Sequence, residues 1–382
     1  MALNQYEKDV TTPVLEEAQY RNDSTALRLD VSAPGAADSK KERSESVAPI
    51  GKDGRPLKKF LWWRMTKKQR IWLIVALSVL LVAVILIIIF FAIIPAVFQH
   101  YTNAVAMTIN FLDVTAIPDA TTLTIDLSLN VQHDVGISAT TDATTASLLF
   151  GGSVFGTVAL PALDIKKGAQ NYNLTIAGPL TITDLDVFNS MAEGMVDSTE
   201  ISLEADAKIK AHGLGLTYGG LSFERTLALT GFNQFSDPAP SIEYIDWFGC
   251  SNDVYQMDIN VTLDNPSGMG LDGIGALNLS LYYGADYLGY AISQKPELGL
   301  PRGESDQVFR LTVPQDSSVL TSMVMGVVAG SAQYYIVGDN PYATEYTQFA
   351  EAIATVNMSV LYTDGLTKLN INSSCNILSL LS

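Results

Sequence analysis

Gly268-Met269-Gly270-Leu271-Asp272-Gly273 matches the G-x-G-x-x-G spacing letter for letter. In a dinucleotide site that spacing lets the N–H groups of a helix start face a pyrophosphate. Here the motif follows Asn265-Pro266 and leads into the alternating segment Ala276 to Tyr283, so it reads as a glycine-rich strand connection. Gly213-Leu214-Gly215 with Gly219-Gly220 reads as a hairpin on the same reasoning. Nucleophilic chemistry needs a base beside its nucleophile. His133 and His212 are the only histidines well beyond the apolar run, His100 stands at its exit, and no G-x-S-x-G elbow accompanies them. Three histidines and two cysteines are a poor supply for zinc. Asp184 and Asp186 offer oxygens to calcium, but no loop concentrates the five or six that a tight site takes, and a helix cap with a solvated face is the plainer reading. The expectation is a protein that is not an enzyme and holds no cofactor or metal.

Other residues invite modification. Asn173, Asn260, Asn278, Asn357 and Asn372 each open an Asn-x-Ser/Thr sequon without proline in the middle, and all lie on one side of the apolar run, as N-glycosylation in a lumenal or extracellular space demands. Cys250 and Cys375 lie on that side too. In an oxidising compartment they can pair and close a loop of about 125 residues, which stabilises by about 4 to 5 kcal/mol if chain entropy is the cause. Two buried free thiols are the alternative. Ser44-Glu45-Ser46 beside Lys40, Lys41 and Arg43 is a candidate phosphorylation switch in a polar tail.

Charge divides the chain. The first 70 residues hold 14 Lys or Arg against 10 Asp or Glu, and the last 284 hold 9 against 30, a net of 9 − 30 = −21. So acidic a surface repels nucleic acid and anionic headgroups. Lys58, Lys59, Arg64, Lys67, Lys68 and Arg70, interleaved with Phe60, Trp62 and Trp63, suit a headgroup zone. Membrane topology alone accounts for them; contact with anionic lipid is the sharper alternative.

These features hang on one element. Ile71 to Phe98 is a run of 28 residues without a charge, and roughly 20 suffice to span a bilayer. At about 1.5 Å per residue it reaches about 42 Å, so it tilts or its last turn emerges near Pro95. The basic residues crowd its N-terminal side, which makes the N-terminus cytosolic by the positive-inside rule. The expected organisation is a disordered cytosolic tail with a basic juxtamembrane strip over 1–70, a transmembrane helix over 71–98, and two β-sandwiches over 99–238 and 239–382.

The sandwiches are read from a period of two. Leu123, Ile125, Leu127 and Leu129 alternate with polar residues, as do Val254 to Leu263 and Ala276 to Tyr283, and such runs divided by turns predict antiparallel strands. Short helices are expected at Asp184 to Met195 and Ser317 to Val328, with Asp or Ser as caps. Leu148-Leu149-Phe150-Gly151-Gly152-Ser153-Val154-Phe155-Gly156 aligns with Leu281-Tyr282-Tyr283-Gly284-Ala285-Asp286-Tyr287-Leu288-Gly289, and nearly the same offset relates the two helices. Two copies of one sandwich, joined near Ser236-Asp237-Pro238-Ala239-Pro240, follow. The fold class is mainly β: a single transmembrane helix, then two tandem immunoglobulin-like antiparallel sandwiches, each with a short helix.

Asn265-Pro266 followed by the Tyr282 to Gly289 hairpin resembles the late-embryogenesis-abundant type 2 domain. Phe155 to Pro161, Leu180 to Leu185 and Thr230-Gly231-Phe232 are similar to a fungal vacuolar-membrane family with such lumenal domains, the fungal autophagy-terminating tonoplast protein group. The first copy carries His133-Asp134 where Asn-Pro would fall. The resemblance implies a seven-stranded sandwich with a short helix, no known catalytic residues, and in some members lipid in a groove between the sheets. It implies a vacuolar membrane rather than a plasma membrane. A structural or signalling role is the leading expectation, and a lipid-binding or lipid-transfer module the alternative.

Overall fold

The computed structural model describes residues 58–60, 63–65, 67–251, 254–315, 318–373 and 375; Ser44, Ser46, Trp62 and Ser317 lie outside them. The chain divides into two units, up to Val79 and from Leu80 onward. In the first unit two three-residue strands, β1 (Lys58–Phe60) and β2 (Trp63–Met65), pair antiparallel before helix α1 (Lys67–Ile88). α1 passes through a π-turn at Ile89–Ile93 into α2 (Ile94–Ala104). Pro95 explains the π-turn: it brings no N–H to the ladder, and a widened turn absorbs the loss. The run Lys67–Ala104 is the one helix among the described residues long and apolar enough to cross a membrane. No side chain of α1 is buried in the fold, as expected of a helix apolar on every face and solvated by lipid. Helical structure does not end at Phe98. That residue, the last of the expected span, is only 4% exposed and packs against Ala211 and Leu221.

The first sandwich is built from β3 (Ala106–Asp119), β4 (Thr122–Val135), β5 (Ala139–Thr141), β6 (Thr144–Phe150), β7 (Ser153–Leu160), β8 (Asp164–Ile165), β9 (Gly168–Ile182), β10 (Glu200–Gly213) and β11 (Leu216–Thr230), with helix α3 (Leu185–Asp197). The second uses β12 (Ser241–Ser251), β13 (Val254–Asn265), β14 (Met269–Gly270), β15 (Asn278–Tyr283), β16 (Asp286–Ser293), β17 (Gly303–Pro314), β18 (Ala332–Val337), β19 (Asn357–Tyr362) and β20 (Leu369–Ile371), with α4 (Ser318–Ala329) and α5 (Ala350–Ala354).

One strand order serves both. The first sheet runs β3-β4-β9-β7-β6-β10-β11, and the second runs β12-β13-β17-β16-β15-β18-β19. In the second, β12 also pairs with β19 and closes the ring. The hairpins aligned in sequence coincide down to their irregularities: register slips between Leu148 and Leu149 in one and between Leu281 and Tyr282 in the other. Gly156 and Gly289 hold the same tight place. A Cβ on Gly156 would lie 2.9 Å from the Thr181 carbonyl oxygen, and one on Gly289 2.7 Å from that of Thr312.

Local chemistry accounts for the elements. Alternation in β13 puts Tyr255, Met257, Ile259, Val261 and Leu263 inside and their neighbours half out, the pattern of a strand with one covered face. α3 opens on Asp184, whose Oδ1 accepts from the N–H groups of Asp186 at 3.1 Å and Val187 at 3.2 Å; Asp184 is therefore the helix cap. Phe188, Met191, Ala192, Met195 and Val196 follow at helical spacing and face the core, as one face of a 3.6-residue period must.

The two repeats share one continuous hydrophobic core. β14, although within the second repeat, pairs parallel with β3 of the first: Met269 opposite Leu112 and Gly270 opposite Asp113. The G-x-G-x-x-G motif thus forms the seam between repeats, and no helix able to face a phosphate follows it. Its glycines stand where neighbouring side-chain or backbone atoms leave no room for a Cβ. A Cβ on Gly270 would stand 2.5 Å from Asp113 Oδ1, and one on Gly273 2.7 Å from the Ala116 backbone. The Phe188 and Phe349 rings meet edge to face at 5.4 Å across the same seam, and Gln348 donates to the Asp119 carbonyl at 3.2 Å.

Candidate functional site: an apolar pocket at the helix exit

The end of α2 is fastened to the first sandwich by polar bonds. Gln99 donates to the Ser222 carbonyl at 2.7 Å and accepts from the Ser222 N–H at 3.0 Å. Arg225 donates to the carbonyls of Val105, at 2.9 Å, and Thr102. The Phe98 ring lies 4.9 Å from that of Tyr218. The sandwich therefore continues directly from the apolar helix, with no free linker between them.

Beside this junction the first sheet curls around a pocket of ≈690 Å³, its mouth included. Its wall comprises Phe98, Tyr101 and Thr102 from the helix, Val105 and Met107 at the start of β3, Val131, His133 and Val135 at the end of β4, and further apolar groups from β5, β8, β9, β10 and β11. Among the described residues no Asp, Glu, Lys or Arg contributes to the lining.

His133 is the polar exception. It is 6% exposed, and neither Nδ1 nor Nε2 has a hydrogen-bond partner among the described residues. Tyr172 stands edge-on to it with ring centroids 6.0 Å apart. Burial first, and the charge of Asp164 second, hold the Tyr172 hydroxyl above its ordinary value of 10.0, so it is a neutral donor at any physiological pH. The parity that buries Leu123, Ile125, Leu127, Leu129 and Val131 continues to His133, so the sequence did hold a signal for its inward position. The partner strands and the pocket are long-range features that the alternation of β4 does not specify.

The other residues singled out in the sequence fall elsewhere. His212 is at the surface, 2.9 Å from Thr217 Oγ1 and 2.8 Å from Asp142 Oδ1. Hydrogen bonds from Lys210 and then His212 hold the Asp142 carboxyl below its ordinary value. Cys250 and Cys375 form a disulfide. Asn173, Asn357 and Asn372 are exposed, whereas Asn260 and Asn278 are half-buried and each encloses an amide oxygen without a protein partner. Of the basic strip, Lys58, Lys59 and Arg64 lie on β1 and β2, Lys67 and Lys68 are exposed at the start of α1, and Arg70 is half-buried. Among the described residues no three His, Cys, Asp or Glu side chains gather as a metal site.

Fold and site together define a protein of tandem β-sandwiches following one apolar helix, an arrangement compatible with membrane anchoring. Residues 153–281 match a family model described as a protein of unknown function, DUF3712. No curated protein sequence matches the chain. Solved structures with some likeness include a protein from Archaeoglobus fulgidus, at 8% identity over 33% of this chain and 94% of that one with a TM-score of 0.21. The E. coli chaperone DraB is 12% identical over 67% of this chain and 96% of its own, TM-score 0.18. Red sea bream transglutaminase is 9% identical over 68% and 31%, TM-score 0.24. None of these likenesses carries a function to this chain.

Proposed function

We propose that this protein is a single-pass membrane protein that binds rather than catalyses, and that its helix-proximal sandwich holds the hydrocarbon part of a lipid. The observation that carries this reading is the uncharged, open pocket whose wall includes Phe98, Tyr101 and Thr102 at the end of the apolar helix. A ligand leaving a bilayer along α2 meets it first, and removing its apolar surface from water contributes about 25 cal/mol per Å².

Topology belongs to the same proposal. The basic strip before the helix and the five sequons beyond it support a cytosolic N-terminus and lumenal sandwiches. Resemblance to the fungal vacuolar-membrane family with late-embryogenesis-abundant type 2-like domains supports the vacuolar membrane. Exposed Lys67 and Lys68, with their basic neighbours, are positioned to contact anionic lipid of the cytosolic leaflet.

Native mass spectrometry of the full chain, expressed through a secretory pathway, deglycosylated and released from nanodiscs, tests the binding reading. A stoichiometric lipid that survives release and is lost from Val131→Trp, which fills the pocket, is the expected result. A clean apo mass in the wild type would leave a structural or signalling role, with the tail's partners as the next object of search.

A further inference from the structure

We infer that the pocket selects an uncharged single-chain lipid bearing a free hydroxyl group, and that His133 is the group that recognises it. This rests on the lipid-binding reading and names the ligand class for the same site.

A neutral imidazole has one N–H to donate and one lone pair to accept with. In His133 both positions are enclosed and neither meets a polar group among the described residues, although nearly all buried polar groups find partners. Evolution of a purely structural wall has an easy alternative here, because the same β4 face supplies Val131 one step before and Val135 one step after. A ligand hydroxyl both donates and accepts, so it complements the ring whichever tautomer is present.

The rest of the wall sets the other limits. With no acidic or basic side chain in the lining, a carboxylate or phosphate would enter without a counter-charge, which burial penalises heavily. Arg225, which bonds the pocket-lining segment at Thr102 and Val105, is committed to those two carbonyls and to the face of Phe223 at 4.7 Å. Two hydroxyls in the lining are also engaged: Thr102 Oγ1 donates to the Phe98 carbonyl at 3.0 Å, and Thr141 Oγ1 accepts from the Leu163 N–H at 3.0 Å. The other titratable side chains in the wall are the phenols of Tyr101 and Tyr172, and burial holds the Tyr172 hydroxyl above its ordinary value. Apart from these groups the lining is aliphatic and aromatic, a wall that suits an aliphatic chain.

The test uses the full chain in nanodiscs and three diazirine-bearing 16-carbon probes: the primary alcohol, its methyl ether and the carboxylate, at pH 7.5. Cross-links to pocket residues are quantified by mass spectrometry. The wild type is expected to take the alcohol about tenfold better than the ether, with the carboxylate no better than the ether. His133→Phe is expected to bring the alcohol-to-ether ratio to about one while leaving ether labelling intact. Equal labelling by alcohol and ether in the wild type overturns the assignment of His133 and leaves the lipid-binding reading standing; absence of pocket labelling by every probe removes both. Should His133→Phe fold poorly, ¹⁵N imidazole shifts serve instead, since the chain has three histidines. Addition of the alcohol is then expected to move the His133 signals, and their indifference to a probe that labels the pocket overturns the inference.

Discussion

Arg302 grips Asp113 across 189 residues of sequence, donating from Nε to Oδ1 at 2.6 Å and from Nη2 to Oδ2 at 2.9 Å. The same guanidinium lies over the Phe111 ring at 4.0 Å. One side chain of the second repeat thereby ties β3 of the first to it. A double-mutant cycle with Arg302→Ala and Asp113→Ala is expected to give a coupling on the order of 1 kcal/mol in chemical unfolding. Arg302→Lys should recover little of it, because an ammonium neither forms the paired bonds nor stacks. Strict additivity would mean that the pair only decorates a seam held by apolar contacts.

Gly273 should not tolerate a methyl group. Its Cβ would lie 2.7 Å from both Cα and N of Ala116, and backbone on a paired strand has no room to yield. Gly273→Ala is expected to cost about 1–3 kcal/mol as overpacking. Gly219→Ala, where the nearest atom is Lys210 Cγ at 4.0 Å, is the control and should stay within about 0.5 kcal/mol. Thermal unfolding of the two variants side by side checks the difference.

Reduction should loosen the second sandwich. The Cys250–Cys375 bond joins residues 125 apart, and it holds a terminal segment whose Asn372 N–H donates to the Trp247 carbonyl at 2.8 Å. The double variant Cys250→Ala, Cys375→Ala is expected to lose about 4 to 5 kcal/mol if the constraint acts on the unfolded chain. That corresponds to a melting temperature lower by on the order of 10 °C. Dithiothreitol should lower the parent's melting point and leave the double variant's unchanged.

Three glycans rather than five are expected after secretion. Asn173, Asn357 and Asn372 are exposed, but Asn260 and Asn278 are half-buried with their amide oxygens enclosed, so a glycan on the adjoining Nδ2 would have to displace its surroundings. Single Asn→Gln variants of the first three should each shorten the glycosidase-sensitive ladder on gels by one step. A lost step in Asn260→Gln or Asn278→Gln would contradict the packing described.

Asp272 contributes a pH dependence of defined sign. Burial first, and the neighbouring Asp113 charge second, raise its pKa above the ordinary 3.8, with Arg302 offsetting part of the rise. A raised folded value means that the group favours the folded state below about 3.8 and that this contribution is lost as pH rises through the folded value. Asp272→Asn is therefore expected to melt above the parent at pH 7, with the gap closing as the pH falls below 4. A gap independent of pH would show that ionisation of Asp272 has no part in it.

Particular residues show where the sequence was legible. The alternation from Leu123 to Val131 and the spacing of Phe188, Met191, Met195 and Val196 each declare one covered face, because the periods of strand and helix are properties of the local backbone. The shared Gly151-Gly152 and Gly284 turns declare the repeat. Phe98 was not legible: nothing local distinguishes it from Phe90 or Phe91, yet it is buried at 4% while they are 43% and 80% exposed. Only the approach of β10 and β11 makes that difference.

By itself, then, the amino-acid sequence determined the uncharged helix, the strand periodicity, the repeat and the acidic surface, all of which follow from residue type and short-range spacing. Tertiary structure decided three things. It turned a dinucleotide-like glycine motif into the seam of two sandwiches, because β14 found an edge at β3. It joined Cys250 to Cys375 where pairing and two free thiols were both open. It also placed His133 without a partner in an apolar pocket beside the helix exit, since a pocket belongs to several strands at once and the period of any one of them is silent about it.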